Sequence, residues 1–311
     1  MTVTVVGSIA FDSVSAPAGS RERMLGGSAV HFALAASFFG DVRVVGPVGD
    51  DFGDEEYAVL RARGVNCDDI EHVAGGSTFF WAGRYSDDLN DRETLDTQLN
   101  VFADFAPKLS AESRAADLLF LANIQPDLQR EVREQCDGAR FVALDSMNLW
   151  IDSARDSLVR TIAGVDCVII NDSELRQLTG RPTLAAAARE VMGMGPRAVV
   201  AKQGAYGAAL FSEQGLFALP AYPLEEVLDP TGAGDCFAGG FIGYLAAHSE
   251  REIDDELMRG AMAYGTALAS FNVEEFGTER VQRLRADEIA ERVVALKRMT
   301  TFDDAPIALR A

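Results

Sequence analysis

Residues 229–240 read DPTGAGDCFAGG, with four glycines and two aspartates in twelve residues. Glycine loses more freedom on folding than any other residue, so such density signals a sharp bend or a partner brought close to the backbone. Directly after it, Phe237, Phe241, Tyr244 and Leu245 fall at helical spacing, which predicts a helix beginning within GAGDCF. The N–H groups of Gly232, Ala233 and Gly234 then stand unpaired at the positive end of the helix dipole. That is an anion site well suited to phosphate. Asp235 adds a negative charge beside it, a poor choice for simple phosphate binding but a good one for a general base. A carboxylate there takes a proton from a substrate hydroxyl while the N–H groups stabilise a phosphoryl group in transit. The plainer alternative is that Asp235 caps the helix and the glycines form a tight turn.

Two further stretches carry chemistry. NDSE (171–174) follows the apolar run VDCVII, which places Asn171 and Glu174 at the carboxyl end of a strand, where open α/β sheets bind ligands. An amide and a carboxylate there suit magnesium held through water. A helix N-cap with an acidic first turn accounts for them equally well. KQGAYG (202–207) also follows a strand-like run. Lys202 suits a phosphate, and Gly204 and Gly207 would admit a nucleotide or form a hairpin turn.

The elements that must position these groups are legible in outline. Val3–Val6 reads as a strand ending at Gly7-Ser8. SAVHFALAASFFG follows the pair Gly26-Gly27 as a closely packed helix. ADLLFLAN, ARFVALDS, VDCVIIND and PRAVVAK are short apolar runs separated by helical stretches. Near-continuous apolar strands alternating with helices indicate a parallel sheet covered on both faces. Residues 75–108 break this rhythm with aromatics, threonine, charge and two-residue alternation. They read as strands of a small cover, joined by 12–24, with an ordinary surface insertion as the alternative. The expectation is one α/β domain over 1–311 with a lid from approximately 12–24 and 75–108.

Composition excludes several classes. Hydrophobic residues are 48% and charged residues 24% of 311, ordinary for a globular protein. No run has the roughly 18 apolar residues of a membrane span, and MTVTVVGSIAFD opens without a signal-peptide pattern. Four separated cysteines and three scattered histidines argue against zinc and for a reduced, cytoplasmic setting. A net charge of −20 argues against nucleic-acid or acidic-membrane partners; a soluble surface and an acid-rich proteome both explain it. There is no G-x-x-x-x-G-K-[ST], and the first strand is not followed by G-x-G-x-x-G.

DPTGAGDCFAGG closely resembles the C-terminal signature of the ribokinase-like (PfkB) carbohydrate and nucleoside kinases. GGSAVHFALAASFFG with GPVGDDFG resembles the N-terminal signature, and NDSE and KQGAYG occupy the family's N-x-x-E and lysine–glycine positions in order. The resemblance spans roughly residues 3–280. It implies a three-layer α/β sandwich, with a mostly parallel central sheet covered by helices and a small β-lid. It further implies ATP-dependent phosphotransfer to a hydroxymethyl-type hydroxyl of a small sugar, with Mg2+ and, in some members, K+. Asp235 would be the base, and Gly232, Ala233 and Gly234 the anion hole. Asp12, Gly26, Gly27, His31 and Trp81 would meet the acceptor. Asn171, Glu174, Lys202, Gly204, Gly207 and Asn272 would serve the nucleotide, with Glu174 holding Mg2+ through water. Asp229 and Thr231 match positions lining a monovalent-cation site.

The chain departs from the pattern at the acceptor side. His31 stands where relatives often carry asparagine, Ala10 where ribokinases have a side-chain amide, and NIQP (123–126) lacks the glutamate before proline. The histidine changes the acceptor contact, and the other two departures weaken the case for ribose. A nucleoside kinase of the adenosine-kinase type and a catalytically silent sugar- or nucleotide-binding regulator are the other readings. The intact Asp235 in its glycine frame speaks against the silent regulator. A homodimer through the lid is as compatible with the sequence as a monomer.

Overall fold

The computed structural model describes residues 1–89 and 92–302; the lid residues 90 and 91 and the stretch 303–311 lie outside the described residues. β1 (Thr2–Val6) opens the main sheet, and β2 (Ala10–Ala16) and β3 (Gly19–Gly26) leave it. β4 (Asp41–Val48) and β5 (Asn66–His72) return, before β6 (Phe79–Tyr85) and β7 (Arg92–Gln98) leave again. β8 (Leu118–Leu121), β9 (Phe141–Leu144), β10 (Cys167–Asn171), β11 (Ala198–Lys202), β12 (Ala208–Ser212) and β13 (Gly215–Leu219) complete it.

Among the described residues the main sheet has nine strands in the order β13-β12-β11-β10-β9-β8-β1-β4-β5. β11-β12-β13 is antiparallel and the other pairings are parallel. Its central strands are fully buried apolar runs: every residue of β8 and β9 is buried, as a sheet with helices on both faces requires. Two hydrophobic clusters, one on each face, make this a three-layer α/β sandwich, as expected. Each fully buried large side chain contributes about 1.5–3 kcal/mol. The second sheet, ordered β3-β2-β6-β7, is the lid. β2 pairs parallel with β6, although no two-residue alternation could have announced that partner. No helix among the described residues is long and apolar enough to cross a membrane.

Four helices matter for the site. α1 (Ser28–Ala36) follows the glycine pair and is buried at every position; it ends before the Gly40 stop expected from the sequence. α2 (Asp172–Thr179) follows β10, and α3 (Ala233–Ala247) packs on both α1 and α4 (Asp255–Asn272). The glycine density of the motif is partly explained here. A Cβ on Gly239 would lie 2.4 Å from the Phe32 carbonyl oxygen, and one on Gly240 would lie 2.8 Å from that of Tyr264. These two glycines let α3 touch α1 and α4 along their backbones, and no ligand is needed to account for them.

Candidate active site

α3 begins where the sequence places it. Gly232 is its N-cap, in the left-handed region with φ 76°, a conformation glycine adopts without a Cβ penalty. The Ala233 N–H closes a turn onto the Pro230 carbonyl at 3.2 Å, while Cys236 N–H bonds the Gly232 carbonyl at 2.8 Å. The loop before the helix is clamped at three points. Asp229 Oδ1 accepts from Thr231 N–H (2.8 Å), and its Oδ2 accepts from Gly277 N–H (2.9 Å). Asn272 Nδ2 donates to the Thr231 carbonyl (2.7 Å). Asp229 is fully buried, and both its oxygens are engaged in holding this loop.

Asp235 sits in the first turn of α3. Burial, reinforced by the negative charge of Asp145 and opposed by Lys202, pushes its carboxyl up to about 7. Burial likewise raises Asp12 to about 7, with the Gly27 N–H pulling the other way. It also raises Glu174 to about 7, with Asp145 adding to the shift. A group with this value is half ionised near neutrality, the range in which a general base works best. The counter-charge is Lys202, at the end of β11, whose Nζ lies 2.6 Å from Asp145 Oδ2. Burial alone would lower the lysine, but the Asp145 and Glu174 carboxylates hold it above its ordinary value. Asp145 opens DSMNLW (145–150), which resembles the aspartate–asparagine strand end of other sugar kinases. Sequence reasoning gave Asp145 itself no role, because its partner is 57 residues away.

Asn171 and Glu174 form a capping box at the start of α2. Asn171 Oδ1 accepts from Glu174 N–H (2.7 Å), and Glu174 Oε2 accepts from Asn171 N–H (2.9 Å). The capping reading of NDSE is thus realised, and it fixes the Glu174 side chain facing Asp145 and Lys202. Among the described residues no group of three or more His, Cys, Asp or Glu side chains is arranged to hold a metal.

Asp12 lies on β2 and accepts from the Gly27 N–H at 3.3 Å. A Cβ on Gly26 would come within 2.0 Å of the Asp12 carboxylate, so that glycine makes room for it. Strand pairing aligns Asp12 with Trp81 and Tyr85 with Arg92, which puts these four side chains on one face of the lid. That face looks onto the site. The Tyr85 and Thr231 hydroxyls are 3.1 Å apart, and the Arg92 guanidinium lies 5.1 Å over the Trp81 ring. Arg92 also pulls down the carboxyls of Asp12, Glu174 and Asp235. Phe79 packs at a tilt against Phe102 and Phe80 packs against the main core, so neither is the aromatic face of the cover.

A cavity of about 470 Å3 runs from Lys202 and Gly234 past Gly204 and Gly207 to Tyr222 and Thr266. Leu89 from the β6–β7 turn also lines it. Two residues expected at ligand surfaces lie elsewhere. Asn272 is fully buried beneath the Thr231 loop and does not line the cavity, which Ala269, Ser270 and Val273 do instead. His31 is 2% exposed, with its ring under Gly232.

The chain matches the pfkB family carbohydrate kinase profile over residues 2–283. It is 29% identical over 269 residues to a cytidine kinase of Thermococcus kodakarensis, covering 83% of this chain and 92% of the relative. It is 27% identical over 275 residues to a nucleoside kinase of Methanothermobacter thermautotrophicus, covering 82% and 80%. In fold it is similar to an E. coli ribokinase II candidate solved in complex with ATP and Mg2+. That match has TM-score 0.76 and 21% identity and covers 94% of this chain and 99% of that one.

Proposed function

Since the chain belongs to the pfkB family of carbohydrate kinases, we propose that it transfers the γ-phosphoryl group of ATP to the hydroxymethyl hydroxyl of a nucleoside. The observation that carries this reading is Asp235 at the N-terminus of α3, half ionised near pH 7 and beside unpaired backbone N–H groups. The sequence alone led to a small sugar as acceptor. The cytidine and nucleoside kinases among the relatives favour a nucleoside, and Trp81, on the site face of the lid, offers a base a ring to lie against.

In this reading the ionised Asp235 takes the proton of the acceptor hydroxyl as its oxygen bonds to the γ-phosphorus and the bond to the ADP oxygen breaks. The N–H groups of Gly232 and Gly234 meet the charge on the phosphoryl oxygens, and Lys202 balances it from below. Asp12 and the Gly26-Gly27 backbone orient the acceptor. The lid covers the site and keeps water from taking the phosphoryl group instead. The hard carboxylate of Glu174, with Asp145 beside it, suits Mg2+ carried in on the nucleotide and held through water. When bound, Mg2+ supplies charge neutralisation along the phosphates.

ADP release with Mg–ATP against a panel of nucleosides, pentoses and hexoses tests this. Turnover is expected with nucleosides and above all with those bearing a ribose hydroxymethyl group. Turnover on sugars alone would return the acceptor to the small-sugar reading. Binding of a panel member without turnover would point to the silent regulator. Asp12→Ala is expected to raise the acceptor KM at least roughly tenfold and leave the ATP KM within about twofold, as loss of a contact to one substrate should. Equal loss for both substrates would remove Asp12 from the acceptor site.

A further inference from the structure

His31 lies on α1, far along the chain from the loop it touches. Its Nδ1 is 3.1 Å from Asn272 Oδ1, across 241 residues. The orientation of the Asn272 amide is set by its other bond, since Nδ2 donates to the Thr231 carbonyl at 2.7 Å. Oδ1 is therefore the accepting end, and His31 must donate to it from a protonated Nδ1. Nε2 then carries a lone pair; it is buried and has no partner among the described residues. Burial lowers the ring to about 4, so it stays neutral with one tautomer. The thiol of Cys236 adds a second donor to Asn272 Oδ1, at 3.2 Å.

The geometry has a consequence at the next peptide. In a trans peptide the C=O of one residue and the N–H of the next point in opposite directions, and the chain has no cis peptide bonds among its described residues. Asn272 draws the Thr231 carbonyl inward, so the Gly232 N–H of the same plane is turned outward. From below, the imidazole ring fills the space where a Gly232 side chain would sit; a Cβ there would be 2.3 Å from Nδ1.

We propose that His31 is a positioning residue: through Asn272 and the Thr231–Gly232 peptide it aims the Gly232 N–H at the phosphoryl group, and it does not touch the acceptor. This rests on the kinase reading given above. It also replaces the acceptor contact that the sequence led us to expect of His31.

His31→Phe keeps a ring under Gly232 and removes the Nδ1–H donor. The expected result is a fall in kcat of about tenfold or more, less than the loss of a whole oxyanion donor. Both KM values should stay within about twofold. His31→Gln, which returns an N–H donor, should recover part of that loss, and a Phe variant combined with Asn272→Ala should be no slower than the worse single variant. A raised acceptor KM at unchanged kcat, full activity in His31→Phe, or multiplying effects in the double variant would each overturn the proposal. Nitrogen-15 NMR of the histidine rings in the unliganded protein gives a readout independent of turnover and of these variants folding. It should show His31 protonated at Nδ1 and bare at Nε2. A proton on Nε2 would overturn the proposal whatever the enzyme phosphorylates, whereas a wild-type protein inactive on every acceptor would count against the kinase reading alone.

Discussion

Asp235→Asn is expected to lower kcat by at least roughly a hundredfold, the scale of losing a general base, and at the same time to raise the melting temperature at pH 8. Both effects come from the same burial. The unfolded chain releases the Asp235 proton near pH 4, whereas the folded protein keeps it up to about 7. Between those values the unfolded state binds fewer protons than the folded one, so folding stability falls as pH rises and levels off above about 7. Asparagine has no charge to bury and escapes that loss. The gain in melting temperature should therefore be small at pH 5 and largest at pH 8, and thermal melts of the two proteins at both values measure it. A gain equal at both values would mean that the carboxyl is not perturbed. Near-normal turnover would mean that Asp235 is a helix cap and not the base. In the wild type the same ionisation should make kcat/KM rise with pH through about 7.

Lys202→Met should cost both stability and donor affinity. The Lys202 and Asp145 side chains are 16% and 7% exposed and pair at 2.6 Å. Removing one member of a buried pair leaves the other charge without compensation, at a cost of about 3 kcal/mol or more. For a chain of this size that corresponds to a fall in melting temperature of roughly 5 °C. Lys202 also lines the cavity beside Gly234, where the proposed function seats ATP, so the KM for ATP should rise at least roughly tenfold, the effect of about 1.4 kcal/mol of lost binding. Adding Asp145→Asn to the variant separates the two effects. Stability should largely return, because no lone charge remains, while ATP affinity should not. If the double variant melts as low as the single one, the ion pair is not what Lys202 contributes to the fold.

What the sequence disclosed and what it withheld divides along the range of the interactions. The start of α3 and the left-handed turn at Gly232 depend on neighbours within a few residues, so the glycines and the apolar period announced them. The capping box of Asn171 and Glu174 is equally local, and both of its readings were in view. The Lys202–Asp145 pair needs β9, β10 and β11 side by side, which no local pattern specifies. His31 and Asn272 meet across most of the chain. Asn272 was expected to serve the nucleotide because the family resemblance places it there. On the helix, however, Thr266, Ala269, Ser270 and Val273 form the stripe that lines the cavity, and Asn272 falls off it, toward the Thr231 loop. The aromatic run at 79–81 was legible as lid, but only the pairing of β6 with β2 and β7 separates Phe80, which turns to the core, from Trp81, and only the contact of Phe79 with Phe102 takes Phe79 away from the site.

The lid sheet carries Asp12 at one end, while Tyr85 and the turn containing Leu89 reach the Thr231 loop and the cavity beside Lys202. One sheet therefore reaches both Asp12 and the cavity. In the kinase proposed above, acceptor and nucleotide would then share a single cover, so that closing it over one would close it over both, and catalysis would call for both substrates to be in place before the cover shuts.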